Sequence, residues 1–496
     1  MSDDRYYFNG IDAETGNYLA PPLTEAEIAA LVRGTPIDTR KTGLLRRLWE
    51  TISTGHYALP LDRRPEHINE VGWAVVLHRD EDPGVKTALE PLISHRAKQV
   101  GNDKLARVLE YRGDEDVAGW LNRHGTSLGD EDPTKVPFYV LLIGGPERIP
   151  FDFQQILDLG YAVGRLHFDD PDAYGRYAQS VVAYEEGQGG GRTKEAVFFA
   201  TRHEFDPATR MSADLMVTPL ADGDTAAEPP APPVAERWGY ETRKLWGPEA
   251  TKAALLDTLA GRDAKRRPTF LFSASHGLGY RFDSATYKPE TQRANQGALI
   301  TQDWPGFGDF RPEHCVAAAD IADDFDVHGL IGFLFACYSA GTPSHDRFMH
   351  KKNQTPAQIA STPFTAALPQ ALLGHPNGSA LACIGHVERA WGASVLPGRS
   401  QQAQLLAFRN AVGRILIGHP IGLALQNFND RNAQYSARLA ELLEDAGFGS
   451  VSESALASAW LLRNDAQGYV LLGDPAVRLR PITPELENTG ASPNGA

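Results

Sequence analysis

Short apolar runs recur along this chain, and each closes on glycine or a reactive polar residue. "VPFYVLLIGG" (136–145), "PTFLFSASHG" (268–277), "GLIGFLFACYSAG" (329–341) and "YVLLGDPAVRL" (469–479) are the clearest. They are too short to be buried helices and show no polar alternation, which is the pattern of strands covered on both faces. Helical stretches lie between them, among them "DPGVKTALEPLISHRAKQV", "DVAGWLNRHG", a helix from about Asp172, "KAALLDTLAGR" and "FTAALPQALLG". Strand, helix, strand in this rhythm requires crossover connections, so the fold class is α/β with a mostly parallel sheet sandwiched by helices. Further strands are expected at "GWAVVLHR", "YAVGRL", "EAVFFAT" and "GSALACIGH".

The chain is too long for a single compact core, and the pattern divides it into parts. Residues 1–70 read as an N-terminal helical extension, with one helix at Thr24 to Arg33 behind a Thr-x-x-Glu capping pattern and a second at "KTGLLRRLWETIS". Residues 71–190 read as a first α/β subdomain ending in a glycine-rich hinge at Gly187 to Gly191. Residues 193–482 read as a second, and 483–496 as a disordered tail. The acidic, proline-rich segment Asp222 to Pro233 is expected to be a mobile loop.

Charge and cysteine content narrow the function. There are 48 basic and 63 acidic residues, a net charge of −15, which disfavours a nucleic-acid or anionic-membrane surface. The first residues have no apolar core of a signal peptide, and no run of about 18 apolar residues occurs. Three cysteines cannot all pair, and no Cys/His spacing matches a zinc module. The expectation is a cytoplasmic protein without cofactor or metal.

Ligands of open parallel sheets bind beyond the carboxyl ends of the strands. Two strands here end in reactive side chains: His276 closes "FLFSAS" and Cys337 closes "GFLFA". Alone, a cysteine there is a small buried hydrophobe and a His-Gly pair a turn. On neighbouring strands, the imidazole could take the proton of the thiol, and the N–H groups of Gly277 and Cys337 could donate to an oxyanion. The order His then Cys, each near a strand end, is the caspase-type arrangement, although the glutamine of that signature is missing. "GTSLG" (125–129) matches a serine-hydrolase elbow in letters only, because a polar helix precedes it. "GQGGGR" lacks phosphate-loop spacing. Cys383 is expected to be core, Cys315 a bystander and His386 structural.

Five blocks in order resemble the catalytic domain of gingipain-type cysteine peptidases, of the caspase-like superfamily: "FYVLLIGGPERIPF" with "YAVGRLHFDDPDAYGRYAQSVVAYE", then "FSASHGLGY", "GFLFACYSAG", "GSALACIGHVERAWGAS" and "GYVLLGDPAVRLR". The resemblance spans about Val136 to Arg480 and implies a caspase-haemoglobinase-like fold. It implies His276 as general base and acid, Cys337 as nucleophile and Glu204 as the carboxylate orienting the histidine. It also implies Asp214, offset by about one residue, as a pocket acid selecting arginine, and Trp391 as a pocket wall; Glu388 is a rival pocket carboxylate. The expected activity is endopeptidase cleavage of protein or peptide substrates after Arg or Lys. A regulatory protein partner is conceivable within a bacterial defence or cell-death pathway, with control by the N-terminal region or by cleavage in 222–233. The alternative is a catalytically silent binding module on the same scaffold. Calcium sites of some relatives find no matching ligand cluster, and the first 130 residues match nothing in the family.

Overall fold

The computed structural model describes residues 5–34, 59–60, 62–188, 192–227, 229–262, 266–348, 355–392, 395–396, 404–448 and 451–480. The second expected N-terminal helix, part of the glycine-rich hinge and the tail lie outside these residues.

Ten strands form the central sheet: β1 (Trp73–His78), β2 (Ala106–Tyr111), β3 (Tyr139–Ile143), β4 (Ala162–Leu166), β5 (Thr193–Ala200), β6 (Glu241–Trp246), β7 (Pro268–Ala274), β8 (Ile331–Phe335), β9 (Ala382–His386) and β10 (Tyr469–Gly473). Their spatial order is β2-β1-β3-β4-β10-β9-β8-β7-β5-β6. Every neighbouring pair is parallel except β9–β10. The sheet is therefore two parallel blocks running in opposite directions and joined at β10, the last strand of the chain. Helices fill the crossovers, giving the expected α/β architecture of a mostly parallel sheet sandwiched by helices.

Strands β3, β7, β8 and β9 are buried at every residue, which is why they read as unbroken apolar runs. Phe272 of β7 stacks on Phe333 of β8 with ring centroids 4.9 Å apart, and Phe408 and Phe428 from the covering helices close over them. Central strands locked this way hold the residues just beyond their carboxyl ends rigidly in place.

The joint at β10 carries a buried ionic knot. Asp474, directly after β10, is fully buried and accepts hydrogen bonds from Arg96 Nε at 2.7 Å and Trp73 Nε1 at 2.9 Å. The same guanidinium forks onto Glu185 with two contacts of 2.7 Å. One arginine thus ties the helices Glu90–Val100 and Pro171–Glu185 to the Gly-Asp-Pro turn that ends the sheet. Burial opposes the charge on Arg96, but the two carboxylates hold it firmly protonated, and Glu185 is correspondingly held below the usual carboxylate range.

The N-terminal region differs from the helical extension expected. Among its described residues the α-helices are Glu25–Gly34, which packs on the helix Glu453–Gly468, and the single turn that begins at Ile68. Residues 5–24 hold three short strands, Arg5–Tyr6, Gly10–Asp12 and Leu23–Thr24, joined by turns, and Gly10–Asp12 adds to a small sheet with Gly277–Gly279, Leu299–Ile300 and Cys315–Val316. The segment expected to be a mobile loop is drawn together by a bridge between Asp224 and Ala231. "GTSLG" is a loop behind the helix Val117–His124, whose C-cap Gly125 is left-handed at φ 83°. Among the described residues no helix is long and apolar enough to cross a membrane, and no group of three His, Cys, Asp or Glu side chains is gathered as for a metal ion.

Candidate active site

Three adjacent strands deliver three side chains to one end of the sheet. β7 lies between β5 and β8, with Ala274 in register with Ala200 on one side and Phe335 on the other. The backbone remains paired beyond β7, where Ser275 N–H donates to Phe335 O at 3.1 Å. His276 and Cys337 therefore leave the sheet together, at matching positions past neighbouring strand ends.

Asp206, six residues beyond β5, is the carboxylate on the histidine. Its Oδ2 lies 2.7 Å from His276 Nε2, and both side chains are fully buried. Asp206 is also the N-cap of the helix Pro207–Ser212: it accepts from the N–H groups of Ala208 and Thr209, each at 3.2 Å, with proline at the first helical turn. Tyr18 OH donates to its other oxygen, and the Tyr18 ring stands edge-on to His276 at 5.8 Å. Burial alone would raise the Asp206 pKa, but the neighbouring His276 charge and the hydrogen bonds from His276, Tyr18 and Thr209 hold it well below the usual carboxylate range. An ionised carboxylate on Nε2 fixes that nitrogen as the proton carrier, which leaves Nδ1 with its lone pair in the neutral ring. His276 Nδ1 is buried without a hydrogen-bond partner in the protein.

Cys337 is fully buried. Its sulfur receives the Ala390 N–H at 3.2 Å, and burial pushes the thiol up to about 12. The residue after it, Tyr338, has φ 60°, and its N–H donates to the carbonyl of Glu388, which has φ 69°. Two non-glycine residues in the left-handed region facing each other mark stored strain, about 1–3 kcal/mol each, of the kind that clusters at functional sites. Gly277 has no alternative: a Cβ there would lie 1.9 Å from the Cys337 carbonyl oxygen. This close approach brings the two strand ends together and turns the N–H groups of Gly277 and Cys337 toward one point. Both donate to a single carbonyl oxygen, that of Asn9, at 2.9 and 3.2 Å.

The N-terminal segment supplying that carbonyl runs through the site. Asn9 N–H donates to Ala390 O at 3.0 Å and Gly392 N–H to Tyr7 O at 3.3 Å, an antiparallel pairing with the loop after β9. Phe8 packs on Trp391, with centroids 5.3 Å apart.

Of the residues expected from the sequence, Gly277 and Cys337 meet through their backbones, the loop carrying Glu388 and Trp391 closes over Cys337 through Ala390, and His276, just before Gly277, turns its ring to Asp206, Tyr18 and Trp304. Glu204 does not orient the histidine: its side chain is 78% exposed and ion-pairs with Arg202, two residues away. The carboxylate that could fold inward is Asp206, anchored by its cap. Asp214 is held by the same guanidinium, at 2.8 and 3.1 Å, within an irregular helical turn. Glu388 is buried against Arg389 and Arg347; burial, then the neighbouring Asp346, raises it to about 7. Trp391 is a buried wall whose N–H donates to Asp465 at 2.7 Å. His386 is enclosed in β9 against the carbonyl of Asp465, Cys383 lies within the same strand, and Cys315 is buried in the small sheet.

No protein-family model matches the chain, and no curated protein does. Among solved structures it is similar to the complex of Porphyromonas gingivalis RgpB pro- and mature domains, at 12% identity and TM-score 0.39, covering 82% of this chain and 80% of that one. It is also similar to a structure described only as a protease, at 10% identity and TM-score 0.42, covering 82% and 78%.

Asp206, Tyr18 and Asn9 are not among the residues the sequence pointed to. The signal for Asp206 was present: Asp-Pro is an N-cap with proline at the first turn, which pins a carboxylate just past a strand end. Tyr18 and Asn9 carry no local signal, because their roles come from pairing between segments far apart in the chain.

Proposed function

We propose that this chain is a cysteine peptidase with Cys337 as nucleophile, His276 as general base and acid, and Asp206 orienting the histidine. The observation carrying this reading is the convergence of the Gly277 and Cys337 N–H groups on one peptide carbonyl oxygen beside the thiol. Two preorganised donors at that spacing can hold the negative charge of a tetrahedral intermediate. The thiol proton passes to His276 Nδ1 as Sγ attacks the carbonyl carbon. The oxyanion is held by the two N–H groups, and His276 returns the proton to the departing amine. Water, deprotonated by His276, then hydrolyses the thioester.

The expected preference for Arg or Lys needs a carboxylate free to meet a cation. Glu204 and Asp214 share Arg202, and Glu388 is paired with Arg389, so an arginine substrate would have to displace an internal one. A silent binding module is the second reading, favoured by the covered, un-ionised thiol. Hydrolysis of a quenched peptide library separates the two. Cys337→Ala lowers cleavage by about a thousandfold or more if the thiol is the nucleophile. Equal turnover by both proteins, or none by either, goes against the peptidase.

A further inference from the structure

The segment across the site is laid down as a substrate would be. Its backbone pairs antiparallel with residues 390–392 on one side of Asn9, and from Gly10 to Asp12 it runs parallel with Gly277–Gly279 on the other. The Asn9 carbonyl sits on both candidate oxyanion donors. The next residue is beside the thiol: a Cβ on Gly10 would lie 3.4 Å from Cys337 Sγ, 3.3 Å from Phe8 and 3.1 Å from Leu19. Among the described residues, the peptide bond between Asn9 and Gly10 alone has this position.

The side chains are accommodated as well as the backbone. Phe8 is 2% exposed, against Trp391 and under the Arg389 guanidinium, 5.7 Å from its ring centre. Asn9 is 1% exposed, so the groove encloses an uncharged carboxamide at the position where specificity is read; its Nδ2 has no partner in the protein. At Gly10 a Cβ would meet the thiol at 3.4 Å and the N-terminal region's own Phe8 and Leu19 at 3.3 and 3.1 Å, so glycine lets the segment pass close over Cys337. The carboxylates that would welcome a cation are each engaged by an arginine. Tyr18, from the same N-terminal region, caps Asp206.

We propose that Tyr7–Asp12 occupies the groove in the register of a substrate, with Asn9–Gly10 as the bond offered to Cys337, and that the groove selects extended peptides with an aromatic residue, asparagine and glycine in succession. This rests on the peptidase reading. In the step it implies, Sγ bonds to the Asn9 carbonyl carbon, the Asn9–Gly10 C–N bond breaks, the Gly10 amine leaves with the proton from His276, and water releases the thioester as a carboxylate. While seated, the segment competes with any peptide offered in trans.

The test uses the full-length protein, its Phe8→Ala variant and Cys337→Ala, the last as control for spontaneous Asn-Gly rearrangement. Each is given peptides Tyr-Phe-X-Gly-Ile-Asp with X as Asn, Gln, Asp, Ala, Lys or Arg, and cut sites are read by mass spectrometry. The expected result is Cys337-dependent cleavage between X and Gly, fastest for Asn by about tenfold or more over Arg. Phe8→Ala, which loosens the competing segment, raises the rate about tenfold. Faster cleavage at another X, cleavage at another bond, or a rate unchanged by Phe8→Ala overturns the proposal and leaves the peptidase standing. Absence of Cys337-dependent cleavage of every peptide removes both.

Discussion

Asp206→Asn is expected to reduce the rate of peptide hydrolysis about ten-thousandfold, with little change in KM, because an amide in that place stabilises the wrong tautomer and no positive imidazolium. The carboxylate is 2.7 Å from His276 Nε2, fully buried, and held by the Ala208 and Thr209 N–H groups, so the substitution removes the charge while the amide oxygen still accepts one of the two cap bonds. Glu204→Gln is the matched control. That side chain is mostly exposed and pairs with Arg202, so its removal should change the rate less than about threefold. The sequence pointed to Glu204 for this role, and the carboxylate hydrogen-bonded to His276 is two positions on, so the pair of variants discriminates directly. A large loss in Glu204→Gln with a mild one in Asp206→Asn would reverse the assignment.

Arg96→Leu is expected to cost about 3–5 kcal/mol of stability, since it strands Asp474 as an unpaired buried charge and releases Glu185. Arg96 is 1% exposed and Asp474 fully buried, so neither is rescued by solvent. The double variant Arg96→Leu, Asp474→Asn should recover part of the loss, because the amide can still accept from Trp73 Nε1 and no charge is left at position 474. Denaturant midpoints with unchanged slopes would measure both. The consequence reaches the site: Asp474 directly follows β10, the strand joining the two blocks, and β9 beside it leads into the loop holding Ala390 and Trp391. An Arg96→Leu midpoint equal to that of the parent would show the knot to be dispensable.

The central strands were legible because burial on both faces writes itself as an apolar run. The two strands left unread, β2 and β6, are the edges of the sheet. Edge strands carry exposed and charged residues, as in "ARVLEY" and "ETRKLW", and so lose that signature. The helices Leu406–Leu416, Gln426–Phe448 and Glu453–Gly468 also went unassigned, although Phe408 and Phe428 complete the core over β7 and β8. In the site, His276, Gly277 and Cys337 could be found because each sits at the end of a readable strand. Asp214 illustrates the opposite case: nothing in its local sequence says that Arg202 has already claimed it. The course of residues 5–24 departs furthest from expectation. Strands of two or three residues, paired in part with segments hundreds of positions away, leave no periodicity to read.

The three cysteines provide the most direct test of Cys337 as the nucleophile. All are buried, and burial pushes each thiol up to about 12, so ionisation in the closed state does not favour any of them. Of the three, Cys337 alone lies beside the two converging N–H groups, on the strand end next to that of His276. The measurement is capture by a Tyr-Phe-Asn peptide bearing an electrophile in place of the scissile carbonyl, using the full-length Phe8→Ala protein at neutral pH, with the adduct mapped by mass spectrometry. The account predicts one adduct, on Cys337, that disappears when His276 is changed to alanine. Labelling spread over Cys315 and Cys383, or a protein left unlabelled at Cys337, would contradict it.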